Sequence, residues 1–199
     1  MRSKKIMFCL VLGLASLNVI AQQLVPFLKG KEWKVYDKAQ KKFLSQKYDA
    51  VLPSKGGLLF VQQGTKWGAL NSESKLVIPV KYISISQLNR SVISARDEKG
   101  ILLIDTLGKI ISQEHYSEVG PFKWDEKLIV ALNAKSKFGI INSAGKIILD
   151  FIYDFAPEHL GDGFLKVSIK QPNGSAKSGL LDTNFQKVLD VKFHSIEIM

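Results

Sequence analysis

The stretch Lys66-Trp67-Gly68-Ala69-Leu70-Asn71-Ser72-Glu73-Ser74-Lys75-Leu76-Val77-Ile78-Pro79-Val80-Lys81-Tyr82 decides the fold, because its outline is written five times along the chain. Its opening step is a ring, a glycine, two apolar residues and an asparagine. The step returns as Lys137-Phe138-Gly139-Ile140-Ile141-Asn142 and as Lys177-Ser178-Gly179-Leu180-Leu181-Asp182. Two looser copies are Glu32-Trp33-Lys34-Val35-Tyr36-Asp37 and Gly100-Ile101-Leu102-Leu103-Ile104-Asp105. Eleven residues after each Asn or Asp stands another ring: Tyr48, Tyr82, Tyr116, Tyr153 and Phe193. The Asn/Asp positions themselves are 34, 34, 37 and 40 residues apart. The segment from Asn/Asp to ring therefore keeps its length, and the rest of each unit takes the insertions, as loops do.

Each copy reads as a β-hairpin. The apolar run before Asn/Asp is too short for a helix and rich in Ile, Leu and Val. Asp105-Thr106-Leu107-Gly108 and Asn142-Ser143-Ala144-Gly145 are turn sequences. The first side chain can accept hydrogen bonds from the backbone just ahead, and the fourth residue supplies a positive φ. A second strand follows, Lys109-Ile110-Ile111 in one copy and Lys146-Ile147-Ile148-Leu149 in another. A third strand is expected at Leu58–Val61, Ser91–Ser94, Leu128–Ala131 and Phe164–Val167, shortly before each following hairpin, with Leu24–Phe27 at a similar distance before Trp33. The expected fold is all-β: five units of about three antiparallel strands in an open, solenoid-like array, with a closed propeller-like ring as the alternative.

The Lys-Trp-Gly opening, the apolar-apolar-Asn step, Val77-Ile78-Pro79 and the following Tyr82 resemble the WG (KWG) repeat of bacterial proteins. The resemblance runs over roughly residues 30–199, with Lys66–Tyr82 the best copy and Lys137–Tyr153 the next. Three units depart from the pattern: Lys34 replaces the glycine in the first, Ile101-Leu102 replaces Trp-Gly in the third, and Ser178 replaces the tryptophan in the fifth. The resemblance implies an all-β repeat, common in exported proteins, with no catalytic residues to carry over.

Outside the repeats, the N-terminus reads as a secretory signal. Arg2, Lys4 and Lys5 precede an apolar stretch from Ile6 to Leu17, and Ala21 suits a peptidase pocket. The expected domains are a signal peptide, 1–21, and a β-repeat domain, 22–199. Cleavage would remove Cys9, the only cysteine, so the product has no thiol or disulfide. The chain carries a formal charge of +10, of which Arg2, Lys4 and Lys5 contribute three. Long-range attraction to acidic surfaces follows, although lysine also protects β-edges from self-association. Apolar residues make up 46% of the chain, which supports a packed core and excludes an intrinsically disordered class.

Catalytic motifs are absent. There is no nucleophile elbow, no His-Glu-x-x-His and no phosphate-binding glycine loop. Asp154, Glu158, His159 and Asp162 share one loop but match no known metal-binding spacing. The function expected is an exported, non-catalytic binding or scaffolding protein of the bacterial cell envelope, periplasmic or extracellular. It would act without a cofactor or bound metal and have no transmembrane anchor once cleaved. Its partner would be a protein or a glycan rather than nucleic acid. Lys38, Lys41, Lys42 and Lys47 gather in the first unit without a visible row of stacking rings. The alternative is a glycan-acting enzyme built on Glu118, Asp125, Glu158 and Asp162, which would need two of them buried in one cleft. Candidate contact residues are Trp124 and Phe122, in a loop outside the repeat pattern, and Trp67 and Trp33, which equally suit packing between repeats.

Overall fold

The structure is a computed structural model that describes residues 23–54 and 56–197. The expected signal segment and Cys9 lie outside the described residues. Among the described residues all regular structure is β, in five antiparallel sheets, each built from strands consecutive in the chain. The first sheet holds β1 (Leu24–Lys29), β2 (Glu32–Asp37) and β3 (Lys42–Tyr48). The second holds β4 (Ala50–Pro53), β5 (Leu59–Gln63), β6 (Lys66–Leu70) and β7 (Leu76–Tyr82). The third holds β8 (Ser84–Gln87), β9 (Val92–Asp97) and β10 (Gly100–Asp105). The fourth holds β11 (Glu118–Pro121), β12 (Leu128–Leu132), β13 (Phe138–Asn142) and β14 (Ile147–Tyr153). The fifth holds β15 (Glu158–Gly161), β16 (Phe164–Lys170), β17 (Ala176–Leu181) and β18 (Lys187–Phe193).

One register governs all five units. Trp33 faces Tyr48, Trp67 faces Tyr82, Ile101 faces Tyr116, Phe138 faces Tyr153 and Ser178 faces Phe193. The turn between the paired segments is constant in four of the units; in the first, Asp37 accepts the Ala39 and Gln40 amides and the positive φ falls on Lys41. Oδ1 of Asn71, Asp105, Asn142 and Asp182 accepts the backbone N–H two and four residues on, at 2.8–3.0 Å. These bonds satisfy amides that the hairpin leaves unpaired. The fourth turn residue has a positive φ in each case: Ser74, Gly108, Gly145 and Phe185.

The glycine after the ring lies close against the outer strand in three units. At Gly68 a Cβ would stand 2.5 Å from the carbonyl oxygen of Ile78; at Gly139 and Gly179 it would stand 2.8 and 2.7 Å from those of Leu149 and Leu189. Only a residue without Cβ permits this approach, and a β-bulge sits there in all three sheets. The third unit carries Leu102 at this position. Its expected second strand, Lys109–Ile111, is not a continuous strand and is reduced to bridges at Ile104–Ile110 and Ile101–Tyr116. In the first unit Lys34 holds this position and β3 still pairs over its full length through a bulge, so Leu102 alone does not account for the difference. The Ser112 hydroxyl instead accepts a hydrogen bond from the Leu103 amide.

Four short inner strands, β4, β8, β11 and β15, go beyond the three per unit expected. Each is four residues long and three end in Pro or Gly, which leaves almost no periodic signal in the sequence. β1 pairs with β2, so the N-terminal strand completes its own sheet.

The core lies between sheets. One cluster joins the first and second sheets through Val35, Tyr48, Leu59 and Val61. Another joins the second and third through Phe60, Ile78, Tyr82 and Ile93. The third and fourth meet at Leu103, Tyr116, Ile129 and Ile141, and the fourth and fifth at Ile140, Tyr153, Leu165 and Val167. Among the described residues no apolar cluster joins the fifth sheet to the first, so the array is open at both ends. Also among the described residues, no helix is long and apolar enough to cross a membrane.

Candidate functional site

The inner strands of successive sheets converge. β4, β8 and β11, with the loops that follow them, line a groove of about 700 Å³. Leu52, Pro53, Ile85 and Pro121 give it an apolar floor, and Gln87, Arg90 and Lys123 bring polar and positive groups to it. Gln87 ties two repeats together: its Oε1 accepts the Gly56 amide at 3.1 Å and its Nε2 donates to the Asn89 carbonyl at 2.8 Å. Nothing in the local sequence marks Gln87, because its partner lies 31 residues away.

Beside this groove is a second cleft, of about 440 Å³, between the fourth and fifth sheets. Phe122, Trp124, Leu128 and Phe185 form its walls, and Asp125, Glu126 and Thr183 bring acceptors to it. Trp124 is half-buried, with its ring 4.5 Å from that of His159 and 6.0 Å from that of Phe122, centre to centre. Asp125 is fixed by its own turn, accepting the Lys127 amide at 2.8 Å. Phe185 was not visible as a site residue in the sequence. It occupies the turn position held by glycine in the third and fourth units, at φ 60. A bulky residue in the left-handed region is costly unless packing holds it there. Its ring lies 6.4 Å from that of Phe122. The departure from glycine at residue 185 was the one available signal.

The remaining sequence candidates fall elsewhere. Phe122 is buried, a structural floor beneath Trp124. Trp33 and Trp67 are half-buried against the clusters joining the first three sheets. Glu118, Asp125, Glu158 and Asp162 are all exposed, which is not the buried pair that acid–base hydrolysis of a glycosidic bond requires. Glu158 is paired with Lys166, and Asp154 with Lys137. The Lys137 ammonium and the Lys170 amide hold the Asp154 carboxyl below its usual range. Among the described residues no group of three His, Cys, Asp or Glu side chains could hold a metal ion.

The family described as "WG containing repeat" matches residues 138–170, which run from the ring of β13 through β16. The chain is a WG repeat-containing protein. The WG-repeat protein has no match among curated proteins. It is similar to three solved β structures. A eukaryotic initiation factor is 12% identical at a TM-score of 0.46, covering 85% of this chain and 51% of that one. The WD40 domain of Toxoplasma gondii coronin is 10% identical at 0.39, covering 87% and 57%. The computationally designed Ika8 protein is 12% identical at 0.37, covering 88% and 63%. The WG-repeat protein thus spans between half and two thirds of the length of these three.

Proposed function

We propose that this WG-repeat protein is an exported, non-catalytic binding or scaffolding protein of the bacterial cell envelope. The observation that carries the binding role is the Trp124 cleft. A half-exposed indole outside the repeat pattern stands over an aromatic floor, with two carboxylates and a hydroxyl within reach. Rings give broad contact area at low entropic cost, and carboxylate acceptors orient a ligand. Such a pair of features suits a glycan, whose C–H faces stack on indole and whose hydroxyls donate to Asp125 and Glu126. Export is supported by the basic, apolar and small-residue order of residues 2–21.

The test compares wild type with Trp124→Ala on a glycan array and in pull-downs from envelope extract. The reading expects a defined ligand that is lost in the variant while thermal unfolding stays close to wild type. Equal binding by both proteins would sink the role of the cleft, and turnover of a bound glycan would sink the non-catalytic reading.

A further inference from the structure

The two ends of the array are finished differently. Each later sheet buries one face against the sheet before it, as with Leu59, Val61 and Leu70 in the second and Leu165, Val167 and Leu181 in the fifth. By register, the same face of the first sheet carries Val25, Tyr36 and Phe43 in one row and Phe27, Lys34 and Lys47 in the next. Among the described residues no sheet precedes it. Phe27 and Phe43 are 49% and 50% exposed. Phe43 meets Phe27 at 5.8 Å and Tyr36 at 5.1 Å, both edge to face.

The first sheet and its turns also hold much of the charge. Residues 24–48 hold seven lysines against Glu32 and Asp37, or +5 of the chain's +10. Asp37 is buried and Glu32 is paired with Lys47, so the positive field is left largely uncompensated.

A second copy of the chain does not fit here. The free face of the fifth sheet has Lys166 and Ser178 where the fourth sheet has Val130 and Phe138. Its Ser168 and Ser178 hydroxyls are bonded to each other at 2.8 Å. The same face also carries Leu180, Leu189 and Phe193, so it mixes polar and apolar groups. Two first sheets face to face would set Lys29 and Lys34 of one copy against the lysines of the other. Like charges in a contact oppose association.

The complement of an exposed apolar cluster rimmed by lysine is a negative surface with an apolar layer beneath it. The edge-to-face rings offer no flat platform on which a sugar or base could stack. The geometry points to docking of the first sheet on the anionic headgroup surface of a lipid bilayer. Phe27 and Phe43 enter the headgroup layer, and Lys29, which shares their face, and Lys31, in the adjoining turn, pair with lipid phosphates. This surface is independent of the Trp124 cleft.

The experiment is co-sedimentation of the full chain with phosphatidylcholine vesicles prepared with and without phosphatidylglycerol, at low and high salt. Wild type should bind the anionic vesicles only, and less at high salt. Phe27→Ser/Phe43→Ser and Lys29→Gln/Lys31→Gln should each weaken binding roughly tenfold or more. Val188→Ser, on the last sheet, should bind as wild type does. Thermal unfolding checks that each variant is folded. Should the phenylalanine variant fail to fold, the lysine variant, which changes only exposed side chains, decides alone. Every protein keeps the same N-terminal segment, so equal vesicle binding by all of them would overturn the inference. It would also be overturned if a soluble acidic polysaccharide bound with the same phenylalanine dependence while vesicles did not. Concentration-dependent self-association abolished by the phenylalanine variant would overturn it as well.

Discussion

Gly145 lies directly against the carbonyl oxygen of Ile111: a Cβ on residue 145 would stand 2.0 Å from that oxygen. The turn of the fourth repeat is thereby seated on the third. Gly108 sits in the same way against Val77, one repeat earlier. These glycines serve both the turn and the joint between repeats.

Gly145→Ala should therefore cost about 3 kcal/mol or more. The positive φ of +82 is unfavourable for alanine, and the steric contact forces the two repeats apart. Gly174→Ala, at φ +84 with nothing within 4 Å, should cost only about 1–2 kcal/mol. Urea unfolding of both variants checks the difference. Equal losses would show that the contact with Ile111 does not matter.

Ile141 is fully buried between the third and fourth sheets. Ile141→Ala should lower stability by about 2–5 kcal/mol. Val188→Ala, on the exposed outer strand of the fifth sheet, should change it by less than about 1 kcal/mol. Because neighbouring repeats are joined by separate clusters, hydrogen exchange in the Ile141 variant should rise most in sheets three and four.

Burial, with a smaller contribution from Glu114, pushes the pKa of the Tyr116 hydroxyl up to about 12 from its ordinary 10.0. The folded state thus holds this proton more tightly than the unfolded chain. The associated stability is complete below pH 10 and is lost as pH rises to about 12. The loss amounts to about 2–3 kcal/mol. Tyr116→Phe should flatten that part of the alkaline stability profile. The raised Tyr48, Tyr82 and Tyr153 keep theirs. Chemical unfolding across this pH window provides the measurement.

The Ser74 hydroxyl donates to the Asp37 carboxylate across the first two repeats, and the Gln40 and Ala39 amides donate to it as well. Together they hold the carboxyl below its usual 3.8. The stabilisation is present above 3.8 and disappears as pH falls through the lowered folded value. Ser74→Ala should be less stable than wild type at neutral pH, and the two unfolding curves should converge in strong acid. A gap that persists in acid would assign the effect to packing instead.

Much of the fold could be read from spacing alone. The interval from Asn/Asp to ring determined five hairpins, and the ring pairs Trp33–Tyr48 and Trp67–Tyr82 show why it is fixed: the turn and the bulge between them leave one possible length. The Asn/Asp turns were legible because their hydrogen bonds reach only two and four residues ahead. The short inner strands β4, β8, β11 and β15 were not, since four residues carry no usable period. The loop holding Trp124 stood out by lying outside the repeat, but its neighbours did not.

By itself, then, the sequence determined the local units, their number, their turns and the glycine that lies against the outer strand in three of them. Those properties depend on interactions between residues near one another in the chain. Tertiary structure alone decided which faces of the sheets meet. It brought Phe185 and His159 to Trp124 and paired Ser168 with Ser178 on the last sheet. It also left Phe27 and Phe43 uncovered on the first. These outcomes depend on contacts between separate repeats, and a repeated local pattern does not say which of its copies stands at an end.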